Sequence, residues 1–300
     1  MKLEQYIIIF VVMLFFSCNI KDKNNETGKI DSIMEGIDFE NPAVVKFNDK
    51  VFSVPSPIQI AMLTKELDIE YDKNILNSSD NYFAYNTSFS QALNIGVYGA
   101  DLAYVNIYEQ YSEAKKYFEA IRNLTDELNI TNSYSHKELD RLEKNNSNQD
   151  SVFCILASAY RKTDAFLLEN KQKDIGTLII AGGWIESMYF MVKNLEHKNS
   201  IEIVNRIADQ KQPLKNLIDL LLPYYGKKSE VYDNLIIQLY DLDLIFEEIE
   251  QEYVYKEPEI FVEKKLTVIN SQTINNISKE ELEKIKIKIE EIRQNIVKKN

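Results

Sequence analysis

The sequence predicts an all-α fold, an irregular helical bundle or stacked helical hairpins with a small β element near 260–269. Three observations carry this. Gly and Pro number only 8 and 6 in 300 residues, too few for a turn-rich sandwich or barrel. Apolar residues recur at helical spacing through most of the chain. Apolar content is 45%, enough for a real core.

The N-terminus is read first as an address. Tyr6 to Phe16 is an apolar run of eleven residues, the size of a signal-peptide core and too short to span a bilayer. Leu14-Phe15-Phe16-Ser17-Cys18 resembles the lipobox at which bacterial lipoprotein signals are cut. On this reading residues 1–17 are a signal peptide and Cys18 carries the lipid. Residues 18–40 are polar and aperiodic, a flexible tether. No other apolar run approaches the ~20 residues of a spanning helix. Residues 41–300 then form a single helical domain.

Within that domain, Val44 to Val54 reads as a short extended segment. Pro57 opens a helix over Ile58 to Leu67, with Ile60, Leu63 and Leu67 on one face. After an Asn/Ser/Asp-rich loop, Phe89 to Tyr111 carries Leu93, Val97, Leu102, Val105 and Tyr108. Ser112 to Leu128 follows, with Ser112 as N-cap. His136 to Lys144 is a short helix, and Ser151 to Leu168 a longer one capped by Asp150. Then come Gly176 to Asn194, Ser200 to Asp209 and a helix from Pro213 to Leu222. Ser229 to Glu252 is long and amphipathic, striped by Leu235, Leu239, Leu242 and Phe246. Ile260 to Ile269 is the best strand. Ser278 to Glu281 is a capping box that opens a last helix with Leu282, Ile285, Ile289, Ile292 and Ile296. Segments 93–128 and 176–211 also echo one another weakly, as a duplicated helix pair would.

The net charge is -12, and nine acids with one base fall between Asp241 and Glu263. An acidic chain lacks the footprint of a nucleic-acid binder. The acidic run reads as a solvated helix face, or else as a contact for a basic partner or divalent cations. Two cysteines are present. Cys154 sits in an apolar helical segment and reads as a core residue, so no disulfide is expected once Cys18 is lipidated. The two histidines, His136 and His197, lie in polar segments and form no metal-binding motif. Neither a nucleophile elbow nor a phosphate loop nor a dinucleotide fingerprint is present. No cofactor or metal is expected.

Two glycine-bearing helices hold the candidate site. Gly96, Gly99 and Ala100 flatten one face beside Tyr98, Asp101 and Tyr104. Gly182 and Gly183 do the same beside Trp184 and Glu186. A helical Gly costs ~1 kcal/mol relative to Ala, so each position needs a reason. The plainer reason is close approach of a neighbouring helix. The sharper one is a cleft for a ligand or partner, with the aromatics for stacking and the acids for polar groups. Asp101 and Glu186 could also divide into a general acid and a general base, as in glycoside hydrolysis.

The segments Val54-Pro55-Ser56-Pro57-Ile58-Gln59, Gly96-Val97-Tyr98-Gly99-Ala100-Asp101-Leu102-Ala103-Tyr104 and Gly182-Gly183-Trp184-Ile185-Glu186-Ser187, behind a lipobox-like signal, resemble a family of uncharacterised helical lipoproteins from Bacteroidota-type bacteria. The resemblance implies a lipid-anchored helical protein of the cell envelope, facing the periplasm or the cell surface. It implies no activity, cofactor or catalytic residue. The expected function is therefore binding or scaffolding of an envelope protein or small ligand, with hydrolysis of envelope glycans as the alternative.

Overall fold

Residues 43–47, 50–54, 57–130, 172–198, 200–261, 266–268 and 270–298 are described by a computed structural model. All lie in one unit, Phe39–Asn300. The fold is all-α with small β elements. Among the described residues a β-hairpin, β1 (Ala43–Phe47) and β2 (Lys50–Val54), leads into eight helices. These are α1 (Pro57–Glu66), α2 (Ser88–Ile107), α3 (Tyr111–Glu127), α4 (Lys173–His197), α5 (Ile201–Ala208), α6 (Lys211–Leu221), α7 (Glu230–Glu247) and α8 (Lys279–Val297). Four strands separate α7 from α8. They are β3 (Glu250–Val254), β4 (Glu259–Phe261), β5 (Leu266–Val268) and β6 (Gln272–Asn276). Cys18, Cys154 and the helices expected at 136–144 and 151–168 lie outside the described residues.

Helices α2 and α4 form the centre. Every residue of α2 from Ser90 to Ile107 is buried, which marks a helix surrounded on all sides. Its start is fixed by a capping box in which the Thr87 side chain accepts from the Ser90 N–H and Ser90 Oγ accepts from the Thr87 N–H. At its other end Lys65 Nζ donates to Ile107 O at 2.8 Å, covering a carbonyl the helix leaves free. Around the central pair α1 packs on both helices, α3 on α2, and α5, α6 and α8 on α4; α7 packs on α6 and α8.

The central contact is backbone against backbone. A Cβ at Gly96 would stand 2.0 Å from Ile179 O and 2.6 Å from Gly183 N. A Cβ at Gly182 would stand 1.9 Å from Leu93 O. No side chain fits at either position, so the two helices close on each other through glycine.

α4 also amends the reading of spanning segments. One 18-residue window of this 25-residue helix is apolar enough to cross a membrane, yet 78% of that window is buried within the protein. Glu186 and Lys193 interrupt the run, so a scan for unbroken apolar sequence passes over it.

Several boundaries move. α3 starts at Tyr111 behind Gln110, and Ser112 lies inside it rather than capping it. α6 begins at Lys211 and keeps Pro213 in its first turn, where a missing N–H costs nothing. α7 stops at Glu247, five residues short of the expected end. Its apolar stripe ends at Phe246, and the Glu-rich segment that follows takes its strand form from pairing. Glu250 to Val254 then pairs antiparallel with Gln272 to Asn276, and Glu259 to Phe261 with Leu266 to Val268. The single expected strand at 260–269 is thus the tip of a longer β arm.

The glycine contact sets a test. Gly96→Ala or Gly182→Ala should destabilise by about 1–3 kcal/mol or more, because the neighbouring backbone must move. At Gly183 a Cβ would meet Gly96 O at 3.5 Å and Pro57 Cγ at 3.6 Å, ordinary contacts. Gly183→Ala should therefore be neutral or stabilising by up to ~1 kcal/mol. Urea unfolding of the three variants measures the difference.

Candidate functional site

The crossing of α2 and α4 brings together the two acids that sequence singled out. Asp101 follows Gly96 by five residues and Glu186 follows Gly182 by four, so both stand beyond the glycine contact. Both side chains are fully buried. Arg293 of α8 completes the group. Its Nε donates to Glu186 Oε2 at 2.9 Å and its Nη2 to Glu186 Oε1 at 2.8 Å, a two-pronged pair. Nη2 also donates to Ile75 O at 3.2 Å. The guanidinium lies over the Tyr189 ring, 4.4 Å from its centroid.

Two carboxylates and one guanidinium leave one negative charge in excess. Asp101 carries the consequence. As a carboxylate it has no well-formed hydrogen bond at either oxygen, with only the Asn77 peptide N–H directed toward it. Burial raises its pKa well above the ordinary 3.8, and the nearby Glu186 charge raises it further. Arg293 and the Asn77 peptide N–H pull the other way without restoring it. A proton on Asp101 removes the excess charge and makes the carboxyl a donor toward Glu186. Arg293 stays charged: burial opposes its charge, but Glu186 and Asp101 outweigh that and raise its pKa.

Asn77 ties this cluster to its surroundings. Its amide donates to Tyr85 Oη at 3.0 Å and Asn94 Oδ1 at 3.2 Å, and its carbonyl accepts from Tyr117 Oη at 3.0 Å. Asn94 Nδ2 and Tyr85 Oη then donate to Ile296 O and Val297 O, the free carbonyls at the end of α8. The helix that supplies Arg293 is therefore held at its last turn by α2 and the loop before it. Lys193 adds bridges to Glu196 at 2.9 Å and Glu290 at 3.1 Å, and Lys286 reaches Glu196 at 2.9 Å.

The remaining candidate side chains are spent in packing. Trp184 donates through Nε1 to Gln210 Oε1 at 3.1 Å. Tyr98 donates to Ser78 O at 3.0 Å, and Tyr104 Oη accepts from the Asp72 N–H at 3.0 Å. Tyr104 also stacks on Tyr71 and packs against Phe190, with centroids 5.6 and 5.0 Å apart. Gly96, Tyr98, Gly99, Asp101, Tyr104, Gly182, Gly183, Trp184 and Glu186 are all buried. The expected face is thus interior, where glycine lets helices touch rather than opening a cleft.

Sequence reading missed Arg293. A signal existed: it is the one Arg in a helix otherwise rich in Lys, and it adjoins the buried stripe Ile289, Ile292 and Ile296. Among the described residues no group of three or more His, Cys, Asp or Glu could hold a metal ion.

Exposed apolar side chains lie on α7, at Val231, Ile237, Tyr240 and Leu244, and on the β arm, where they stand among acids. Tyr253, Tyr255, Ile260, Phe261, Leu266 and Ile274 are 40–67% exposed. Glu250, Glu252, Glu257 and Glu259 stand among them, exposed. The acidic run itself divides at the arm's base. Before it, Asp241 pairs with Lys288 at 3.1 Å and Glu248 with Lys284 at 3.1 Å, while Glu247 pairs with Lys211 and Lys215. Those acids serve helix packing, and the arm's acids face solvent.

No family model, curated protein or solved structure matches the chain.

The ionic cluster yields two expectations. Arg293→Met leaves Glu186 buried without its cation and should cost about 3–5 kcal/mol in urea unfolding. Asp101→Asn keeps a donor toward Glu186 and removes an acid that favours its neutral form. A raised folded pKa means that the folded state keeps a proton the unfolded state has lost. Stability contributed by this group is thus complete below about pH 3.8 and eroded as pH rises toward the folded pKa. Asp101→Asn should therefore gain stability relative to wild type as pH increases from 4 to 7. A flat difference between the two stability–pH curves would contradict this.

Proposed function

We propose that this protein is a membrane-tethered envelope lipoprotein, anchored through a lipid on Cys18, that acts as a non-enzymatic binding or scaffold protein and meets its partners through the β arm. One observation carries the reading. The groups with chemical potential, Asp101 and Glu186, are fully buried against Arg293, whereas the arm exposes six large apolar side chains beside four acids. Soluble proteins keep exposed apolar patches small unless they bind something. Wherever the acids themselves make the contact they exclude a like-charged surface.

Hydrolysis of envelope glycans by Asp101 and Glu186 is the second reading. Their close approach favours it. Against it stands full burial, since glycosidase carboxyls lie about 5–9.5 Å apart around a sugar and a water that must reach them. Under that reading Glu186→Gln abolishes release of reducing sugar from envelope glycan. Under the binding reading neither wild type nor variant releases any.

Two measurements test the proposal. Cys18→Ala should shift the full-length chain from the membrane fraction to the soluble fraction. Chemical cross-linking in intact membranes should give adducts that disappear when Tyr253, Tyr255 and Ile260 are changed together to Ser. These side chains are exposed, so the unfolding midpoint should stay the same. Adducts unaffected by the triple change would place the contact surface elsewhere.

A further inference from the structure

The β arm contains an edge that is left open, and its composition identifies what closes it. Among the described residues β3 and β6 form a sheet of two strands, each with one edge that pairs with no other described strand. Protein sheets protect such edges with charge, Pro or a covering element. The β3 edge is protected in this way: it carries Glu250 and Glu252 and continues into Lys256-Glu257-Pro258. β6 is Gln272-Thr273-Ile274-Asn275-Asn276, with no charge and no Pro. Four of its five residues are exposed, and Asn275 is half-buried.

The arm is also under-supported. Its base rests on the body, where Gln251 Nε2 donates to Ala208 O at 3.2 Å and Asn275 Nδ2 to Asp209 Oδ1 at 2.8 Å. Further out, hydrogen bonds within the arm hold its strands together. The Lys256 N–H donates to Ser271 Oγ and Ser271 Oγ to Lys256 O, both at 3.0 Å, and the β4–β5 ladder follows. Two strands alone are marginal in water, whereas three or more are stable.

Resting on the reading of the arm as the contact surface, we infer that β6 pairs antiparallel with β6 of a second copy of this chain, on a two-fold axis at Ile274. That register sets Ile274 against the partner's Ile274, Thr273 against the partner's Asn275 and Gln272 against the partner's Asn276. Every facing pair is uncharged, and amide and hydroxyl groups meet one another. The alternative self-pairing through β3, centred in the same way, sets Glu252 against the partner's Glu252, and like charges directly opposite destabilise a sheet. Charge therefore selects β6. The product is a four-stranded sheet, β3-β6-β6-β3, with its remaining edges guarded by glutamates. Antiparallel pairing also directs each outer arm, with Tyr255, Ile260, Phe261 and Leu266, toward the partner's body.

The test is the mass of the full-length chain in detergent, corrected for bound detergent, as a function of concentration. Wild type should be dimeric. Ile274→Lys and Ile274→Glu should each weaken association by about tenfold or more, since like charges then meet on the axis. Both variants should stay folded and unfold at the midpoint wild type shows when diluted to monomer, because Ile274 is 42% exposed in the single chain. Mixing the two variants should restore the dimer. A monomeric wild type, variants that dimerise as wild type does, or a mixture that stays monomeric would each overturn the inference. If the chain is monomeric and yet its membrane cross-links depend on Tyr253, Tyr255 and Ile260, the arm serves another partner and the binding reading stands without the dimer.

Discussion

The contact at Gly96 and Gly182 governs the interior of this protein. With no side chain between them, α2 and α4 meet at the level of backbone atoms. Any acid one turn beyond the crossing is then forced against its counterpart on the other helix. Asp101 and Glu186 meet for that reason. Their meeting demands a cation, and Arg293 on α8 supplies it with a two-pronged pair. The position of α8 thus follows from the contact between two helices much earlier in the chain. Helix propensity lost at each glycine is offset by the burial of nearly the whole surface of α2.

A buried ionic cluster of this kind is weak evidence for stability. Removing charges from water costs several kcal/mol per ion, and attraction in the interior returns that only with good geometry. What the cluster provides is uniqueness. Arg293 fits one place on α4, next to Ile75 O and above Tyr189. A purely apolar α8 could slide by a turn along the same stripe. Asn94 and Tyr85 fix its last turn as well.

Much of the helical order was legible because apolar periodicity reports burial directly. The capping box at Ser278 marks the start of α8 by its own chemistry, and the structure has both of its hydrogen bonds. The two glycine helices were legible as special places, but their use was open. Whether a flat face meets a helix or a ligand depends on what lies opposite, and that is a tertiary fact. Arg293 stood out in a Lys-rich helix, but a partner 107 residues away left nothing local to show what it pairs with. The arm was half legible. Its tip reads as strand from composition, whereas β3 is rich in Glu and Gln, which strands disfavour, and only its pairing with β6 makes it one.

The arm has a further property, which follows from where its ends lie. Glu250 faces Asn276 across the first rung of the ladder, so the chain leaves α7 and returns to α8 at adjacent points. Everything between is a cassette. A short turn in its place would leave α7 and α8 bridged by Lys284 and Lys288 as they are now. Sequence within the cassette can therefore change in length, charge or partner without disturbing the interior. Selection can remodel this exposed arm while the body that carries it stays the same.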